Sequence, residues 1–240
     1  MKKYHFYFLT IICIQLCFGG ISTALAKAKC ELKQLVSDSD FKMLQEKWKV
    51  TPDEKSDEIY FYDTKSWEFK NKAILRWRKN KSEFTIKDRA GAKAQESAEC
   101  QDDFTSKNTP PKKSCQFDNK SPGPLPKQIQ FSENQKQFFK DNDLEWQYCE
   151  IDTMGPILSN KSEVASSVCE GLDTEKPIEL ESWLLKDSNH SQMLFEISVK
   201  VNKYCETANN TFRECLHKLG VDVDSDKGTK TEAVYNFFKK

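Results

Sequence analysis

The sequence offers little from which a zinc site or a hydrolytic triad could be built. Its three histidines are scattered, at His5, His190 and His217. It contains no Cys-x-x-Cys, so the usual ligand spacing of a structural zinc site is missing. No Ser/His/Asp or Cys/His arrangement stands out, and His190 and His217 read as surface residues. Charge of one sign is missing as well. Thirty-seven basic and 37 acidic residues cancel, which excludes a globally basic nucleic-acid binder, and no nucleic-acid partner is expected. Beyond the first 26 residues no apolar run is long enough to cross a bilayer. There is no internal repeat and no heptad run. Aromatic residues, by contrast, make up 12% of the chain, enough to expect a real core.

The N-terminus reads as an address. Lys2 and Lys3 precede an apolar run from Phe6 to Phe18, and Ala24 and Ala26 have the spacing of an A-x-A cleavage site. A signal peptide over residues 1–26 is expected, with a secreted or periplasmic product and no stable membrane span after cleavage. The competing reading, an uncleaved anchor, is disfavoured because the apolar run is short for a span. Cleavage leaves seven cysteines, at 30, 100, 115, 149, 169, 205 and 215. In an oxidising compartment some should pair, and an odd number leaves one over. The spacing does not determine which pair.

The remaining chain is dominated by runs that alternate in polarity. In Ala73-Ile74-Leu75-Arg76-Trp77-Arg78, Leu75 and Trp77 share one face, and Arg76 and Arg78 the other. In Phe84-Thr85-Ile86-Lys87, Thr85 and Lys87 lie opposite Phe84 and Ile86. In the run 191–201, Phe195, Ile197 and Val199 oppose Glu196, Ser198 and Lys200. Successive strand side chains point to opposite faces, so each run has an apolar side and a charged side. Strands are expected near 27–36, 58–63, 73–79, 82–88, 144–152, 177–185 and 191–201. In the 144–152 run Trp146, Tyr148 and Glu150 share a face. Helices are expected over 41–49, 131–142, 203–219 (stopping at Gly220) and 231–239. Residues 90–130, rich in Ser, Lys, Asp, Asn and Pro, read as a polar insertion.

Several of these residues recur in the order of a known pattern. Glu31-x-Lys33, Tyr62-Asp63-Thr64, Leu75-Arg76-x-Arg78, Thr85-Ile86-Lys87, Glu196-Ile197-Ser198 and Lys230-Thr231 before the last helix resemble the CYTH family, the triphosphate tunnel metalloenzymes. The resemblance implies an α+β fold, mostly an antiparallel β-barrel or tunnel with peripheral helices. It also implies a triphosphate or polyphosphate ligand and a divalent metal, Mg²⁺ or Mn²⁺. On this reading Lys33, Arg76, Arg78, Lys87 and Lys200 bind phosphate. Glu31, Glu181 and Glu196 hold the metal, and Glu31 and Lys33 serve hydrolysis. One position departs from the pattern: Lys29 stands where the first motif glutamate belongs, and a cation there repels a divalent ion.

Competing readings of the same residues are plainer. Arg76 and Arg78 could line a solvated sheet face, paired with acids across strands. The glutamates could pair with the tunnel's own cations. Asp63 and Thr64 read as turn formers rather than ligand contacts. Asp222, Asp224 and Asp226 have the spacing of a calcium loop, but Lys227 stands where that loop needs glycine, and Ala233 where it needs its last glutamate. The functional alternatives to a hydrolase are a non-catalytic polyanion-binding or structural member of the same fold, and a disulfide-stabilised surface or effector protein acting through residues 90–130.

Overall fold

A computed structural model describes residues 29–51, 56–70, 72–88, 99–105, 110–223 and 227–239. The expected signal peptide lies outside the described residues, as do Asp224 and Asp226. Nine strands form a closed barrel: β1 (Cys30–Val36), β2 (Asp57–Thr64), β3 (Ala73–Arg78), β4 (Glu83–Asp88), β5 (Glu99–Phe104), β6 (Lys112–Lys120), β7 (Ile151–Val164), β8 (Ile178–Lys186) and β9 (Ser191–Val201). Around the barrel they run in the order β1-β5-β6-β4-β3-β2-β7-β8-β9. Closure pairs β9 with β1 antiparallel, and only β1 with β5 is parallel. Four helices accompany the strands: α1 (Asp38–Trp48), α2 (Glu133–Asp141), α3 (Cys205–Lys218) and α4 (Lys230–Phe238). The α+β barrel implied by the sequence resemblance is the fold observed.

The outward faces carry the apolar residues that period two assigned to them. Leu32, Leu180, Ile197 and Val199 pack under α1 and α3 against Phe41, Leu44, Phe212 and Leu216. Tyr62, Leu75, Trp77, Phe84 and Ile86 pack under α2 against Phe138 and Phe139. Each fully buried Leu, Ile or Phe stabilises the fold by about 1.5–3 kcal/mol relative to exposure. These two layers of helix on sheet therefore hold the barrel wall in shape.

Local signals set the helix ends. Ser37 caps α1 by accepting a hydrogen bond from the Asp40 amide at 3.1 Å. The helix thus begins at Asp38, earlier than the expected Phe41. Asp63 is buried at the end of β2 and accepts from the amides of Thr64, Phe69 and Lys70 at 2.8, 2.9 and 2.9 Å. It organises the connection to β3, as its turn-forming chemistry suggests.

Two expectations are corrected. Within the insertion expected over 90–130, residues 99–104 and 112–120 are not loop. They supply β5 and β6, which bridge β1 to β4 and without which the barrel would not close. The expected strand over 144–152 is also displaced. Residues 142–150 are irregular, and Trp146 packs into the outer aromatic cluster against Tyr62, Phe84 and Phe139. The strand is β7, which begins at Ile151 and runs through Gly155-Pro156. A bulge in β7 takes up the irregularity, with Gly155 and Pro156 together facing the single residue Tyr60 between Ile59 and Phe61 of β2. Gly155 has φ +141°, and a Cβ there would come within 2.8 Å of the Ile59 carbonyl oxygen, so this point of the wall requires glycine.

Three disulfides tie the chain: Cys30–Cys205 joins β1 to α3, Cys169–Cys215 joins the segment after β7 to α3, and Cys100–Cys115 joins β5 to β6. Cys149 is free and exposed. Such a set belongs to an oxidising compartment. Among the described residues no helix is long and apolar enough to cross a membrane.

Candidate functional site

Because the apolar sides of the strands face the helices, their charged sides face inward. They line a cavity of about 720 Å³ within the barrel. Twelve basic and eight acidic side chains border it, and the surplus of basic groups favours an anionic occupant. Every residue expected to bind phosphate or metal lies on this lining: Glu31, Lys33, Arg76, Arg78, Lys87, Glu181, Glu196 and Lys200.

On one stretch of the wall each cation already has a carboxylate. Lys33 lies 2.6 Å from Glu31 and 3.4 Å from Asp103. Lys87 reaches the other oxygen of Asp103 at 2.7 Å. Gln101 donates to both acids, at 2.7 Å to Glu31 and 2.8 Å to Asp103. Burial opposes the charge of Glu31, but Lys33 and Lys87 outweigh it and hold its carboxyl well below the usual range. Burial also opposes the charge of Lys33, and Glu31 and Asp103 raise it above the ordinary lysine value nonetheless. Lys87 falls the other way: burial, then the neighbouring Lys33, bring it down to about 8.

A second network forms where α4 meets the barrel. Val234, Tyr235 and Phe237 pack against Ile59, Ile74 and Trp183, which also border the cavity. Thr229 caps the helix in a reciprocal box with Glu232, at 3.2 and 3.0 Å. The preceding Gly228 adopts φ +70°. This cap makes Lys230 the first helical residue and buries it within the barrel. Lys230 bridges Glu181 and Glu196, at 2.8 Å to the latter, and sits 4.4 Å above the Trp183 ring. Ser159 donates to the remaining Glu181 oxygen at 2.6 Å. Burial works against the charge of both acids. Lys230 and Lys161 still hold Glu181 well below the usual carboxylate range, whereas burial keeps Glu196 above it.

Arg76 and Arg78 differ from both networks. They project from β3 into the cavity, and among the described residues neither has a hydrogen bond or an ion pair. The Nε of each is buried without an acceptor. Burial, then the adjacent Arg78, bring Arg76 down to about 10, which leaves it charged at neutral pH. Two partly buried guanidinium groups with no carboxylate in direct contact form a ready receptor for oxyanions, since each can donate two parallel hydrogen bonds. Lys200 is exposed at the cavity border, paired in register with Glu31 across β1 and β9.

The metal candidates do not assemble. Among the described residues no group of three or more His, Cys, Asp or Glu could hold a metal ion. Glu31 is engaged by Lys33 and Gln101, and Glu181 and Glu196 by Lys230. Of the six oxygens on these three acids only Glu31 Oε1 and Glu196 Oε2 carry no partner among the described residues, each on a carboxylate already paired with a lysine, and two such oxygens do not make the donor set of Mg²⁺ or Mn²⁺. Sequence reasoning missed Asp103 and Gln101 as members of the lining, because β5 was read as loop. The alternation of Gln101 and Asp103 against Cys100, Asp102 and Phe104 was the available signal. It noted Lys230 for its place before the last helix but gave it no role in the site.

A charge-lined barrel closed by helices defines a class, the CYTH-like tunnel fold, and solved structures share it. One neighbour is a putative adenylate cyclase from Bacillus halodurans, with TM-score 0.57, 15% identity, and 89% of this chain and 98% of that one covered. Another is a putative adenylyl cyclase from Hippeastrum, described as having a dominant triphosphatase activity, with TM-score 0.54, 11% identity, and 86% and 95% covered. At such identities the likeness is one of fold. No protein-family model matches the sequence, and neither does any curated protein.

Proposed function

We propose that this protein is an exported binder of a triphosphate or polyphosphate chain, held within the tunnel. The observation that carries this reading is the pair Arg76 and Arg78, partly buried, inward-facing and in direct contact with no carboxylate among the described residues. A buried cation left unpaired costs stability, and a polyanion relieves that cost on binding. Lys33, Lys87 and Lys200 border the same space and add charge around the chain. The three disulfides and the apolar N-terminal run support export.

Binding leads over hydrolysis because Glu31, the carboxylate assigned to catalysis, is paired and held strongly acidic, which makes it a poor general base. Hydrolysis remains as a second reading, supported by the triphosphatase activity described for the Hippeastrum neighbour. Calorimetric titration with sodium tripolyphosphate tests the first reading, with expected saturable binding that Arg76→Met weakens. Release of inorganic phosphate from tripolyphosphate tests the second. Absence of binding by the wild-type chain overturns both.

A further inference from the structure

The acidic half of the lining is not explained by anion binding, and it has a consequence of its own. Four carboxylates of the lining, Glu31, Asp103, Glu181 and Glu196, each hold an ammonium group. Glu31 and Asp103 hold Lys33, Asp103 holds Lys87, and Glu181 and Glu196 share Lys230. The other Glu181 oxygen accepts from Ser159, and Gln101 donates to Glu31 and Asp103. A divalent ion entering at Glu181 and Glu196 would have to expel Lys230 from a pocket in which its side chain is 11% exposed. Lys230 is not free to leave, because the Thr229–Glu232 cap and the packing of Val234, Tyr235 and Phe237 on the barrel fix the helix that carries it. Lys29 borders the cavity beside β1 and opposes a cation near Glu31. The surplus of basic over acidic side chains also suits a chain that keeps its full negative charge. A ligand that brought its own divalent ion would arrive partly neutralised.

We propose that the tunnel takes its polyphosphate as the bare polyanion, with Lys230 and Lys33 occupying the carboxylates that a divalent metal would need. This rests on the reading of the tunnel as a polyphosphate binder. It replaces the metal expected from the sequence resemblance with tethered ammonium groups, which neutralise the acids while Arg76 and Arg78 take the phosphate oxygens directly.

The test is calorimetric titration of the full chain with sodium tripolyphosphate, once in EDTA and once in excess MgCl₂. Affinity in EDTA is expected to equal or exceed that in Mg²⁺, because Mg²⁺ competes with the protein for the ligand. Binding about tenfold tighter in Mg²⁺ than in EDTA, roughly 1.4 kcal/mol, overturns the inference and leaves polyphosphate binding standing. No binding in either buffer overturns both. A second titration uses MnCl₂ alone against wild type and Lys230→Ala. The wild type is expected to give no saturable heat, and the variant, with Glu181 and Glu196 released, to gain it. Wild-type binding of Mn²⁺ as tight as the variant's overturns the inference. Should the variant fail to fold, the wild-type titrations decide the matter on their own.

Discussion

Two stretches of the tunnel wall carry similar side chains in opposite electrostatic states. Along β1, β4, β5, β8 and β9, and where α4 meets them, the buried cations and acids satisfy one another: Lys33 with Glu31, Lys87 with Asp103, Lys230 with Glu181 and Glu196. Along β3, the side chains of Arg76 and Arg78 make no hydrogen bond or ion pair among the described residues and feel only the more distant charge of acids such as Glu181. Charge inside a barrel is therefore not by itself a sign of binding. Paired, it holds strands and a helix in register. Unpaired, it stores affinity at some cost to the free protein. Removing charge should have opposite consequences on the two stretches.

The largest effect is expected on the paired side. Lys230→Ala leaves Glu181 and Glu196, register partners across β8 and β9, buried together without the cation that bridges them. Breaking a buried ion pair in this way costs about 3–5 kcal/mol. For a chain of this size each kcal/mol shifts Tm by about 2–4 °C, so thermal melting at pH 7 should fall by roughly 10 °C. Melting at pH 4 should recover part of the loss, as the carboxyls take up protons. An unchanged melting curve at pH 7 would remove the structural role assigned to this network.

The disulfide behind the same wall comes next. Cys100–Cys115 pairs β5 with β6 at the register that presents Gln101 and Asp103 to the cavity. It closes a loop of 15 residues, for which chain entropy gives about 3 kcal/mol. Replacing both cysteines by serine should lower the urea midpoint accordingly. A midpoint equal to wild type would mean that the ion pairs alone hold β5.

On the unpaired side the signs reverse. Arg76→Met should weaken tripolyphosphate binding by about 10- to 100-fold, the worth of one charge-assisted contact of about 1.5–3 kcal/mol. Its melting temperature should stay level or rise, because a buried cation without a counterion has been removed. A loss of stability comparable to that of Lys230→Ala would show that Arg76 has a partner within the fold, and the contrast between the stretches would collapse.

This contrast was only half legible in the sequence. Alternation in β3, β4 and β9 placed Arg76, Arg78, Lys87 and Glu196 on one face, and the barrel puts them together. What alternation cannot state is pairing. The acids that neutralise Lys33 and Lys87 include Asp103, on a strand with a single large apolar residue, Phe104, which composition disguised as a polar loop. β7 was hidden for a different reason. Gly155-Pro156 reads as a turn signal, and only the bulge opposite β2 lets the strand pass through it. Lys230 lies far from its partners in sequence, so its contacts required the packing of α4 to be known.

The smallest effect is the most discriminating, because it separates Lys87 from its neighbours by pH. Burial and Lys33 hold Lys87 at about 8, below the ordinary 10.5. The unfolded chain therefore binds this proton more tightly than the folded one. Between about pH 8 and 10.5 Lys87 should make stability rise with pH. Lys33 and Lys230, raised above the ordinary value, act with the opposite sign: their stabilisation is complete below about 10.5 and is lost as pH climbs through their folded values. Binding responds in yet another way. A polyanion favours the ammonium form, so tripolyphosphate affinity should begin to fall near pH 8, by at most about tenfold per pH unit for one linked proton. Lys87→Arg keeps its charge across this range and should flatten the profile without abolishing binding. A wild-type affinity constant from pH 7 to 9.5 would mean that Lys87, held by Asp103, belongs to the paired wall alone and takes no part in holding the ligand.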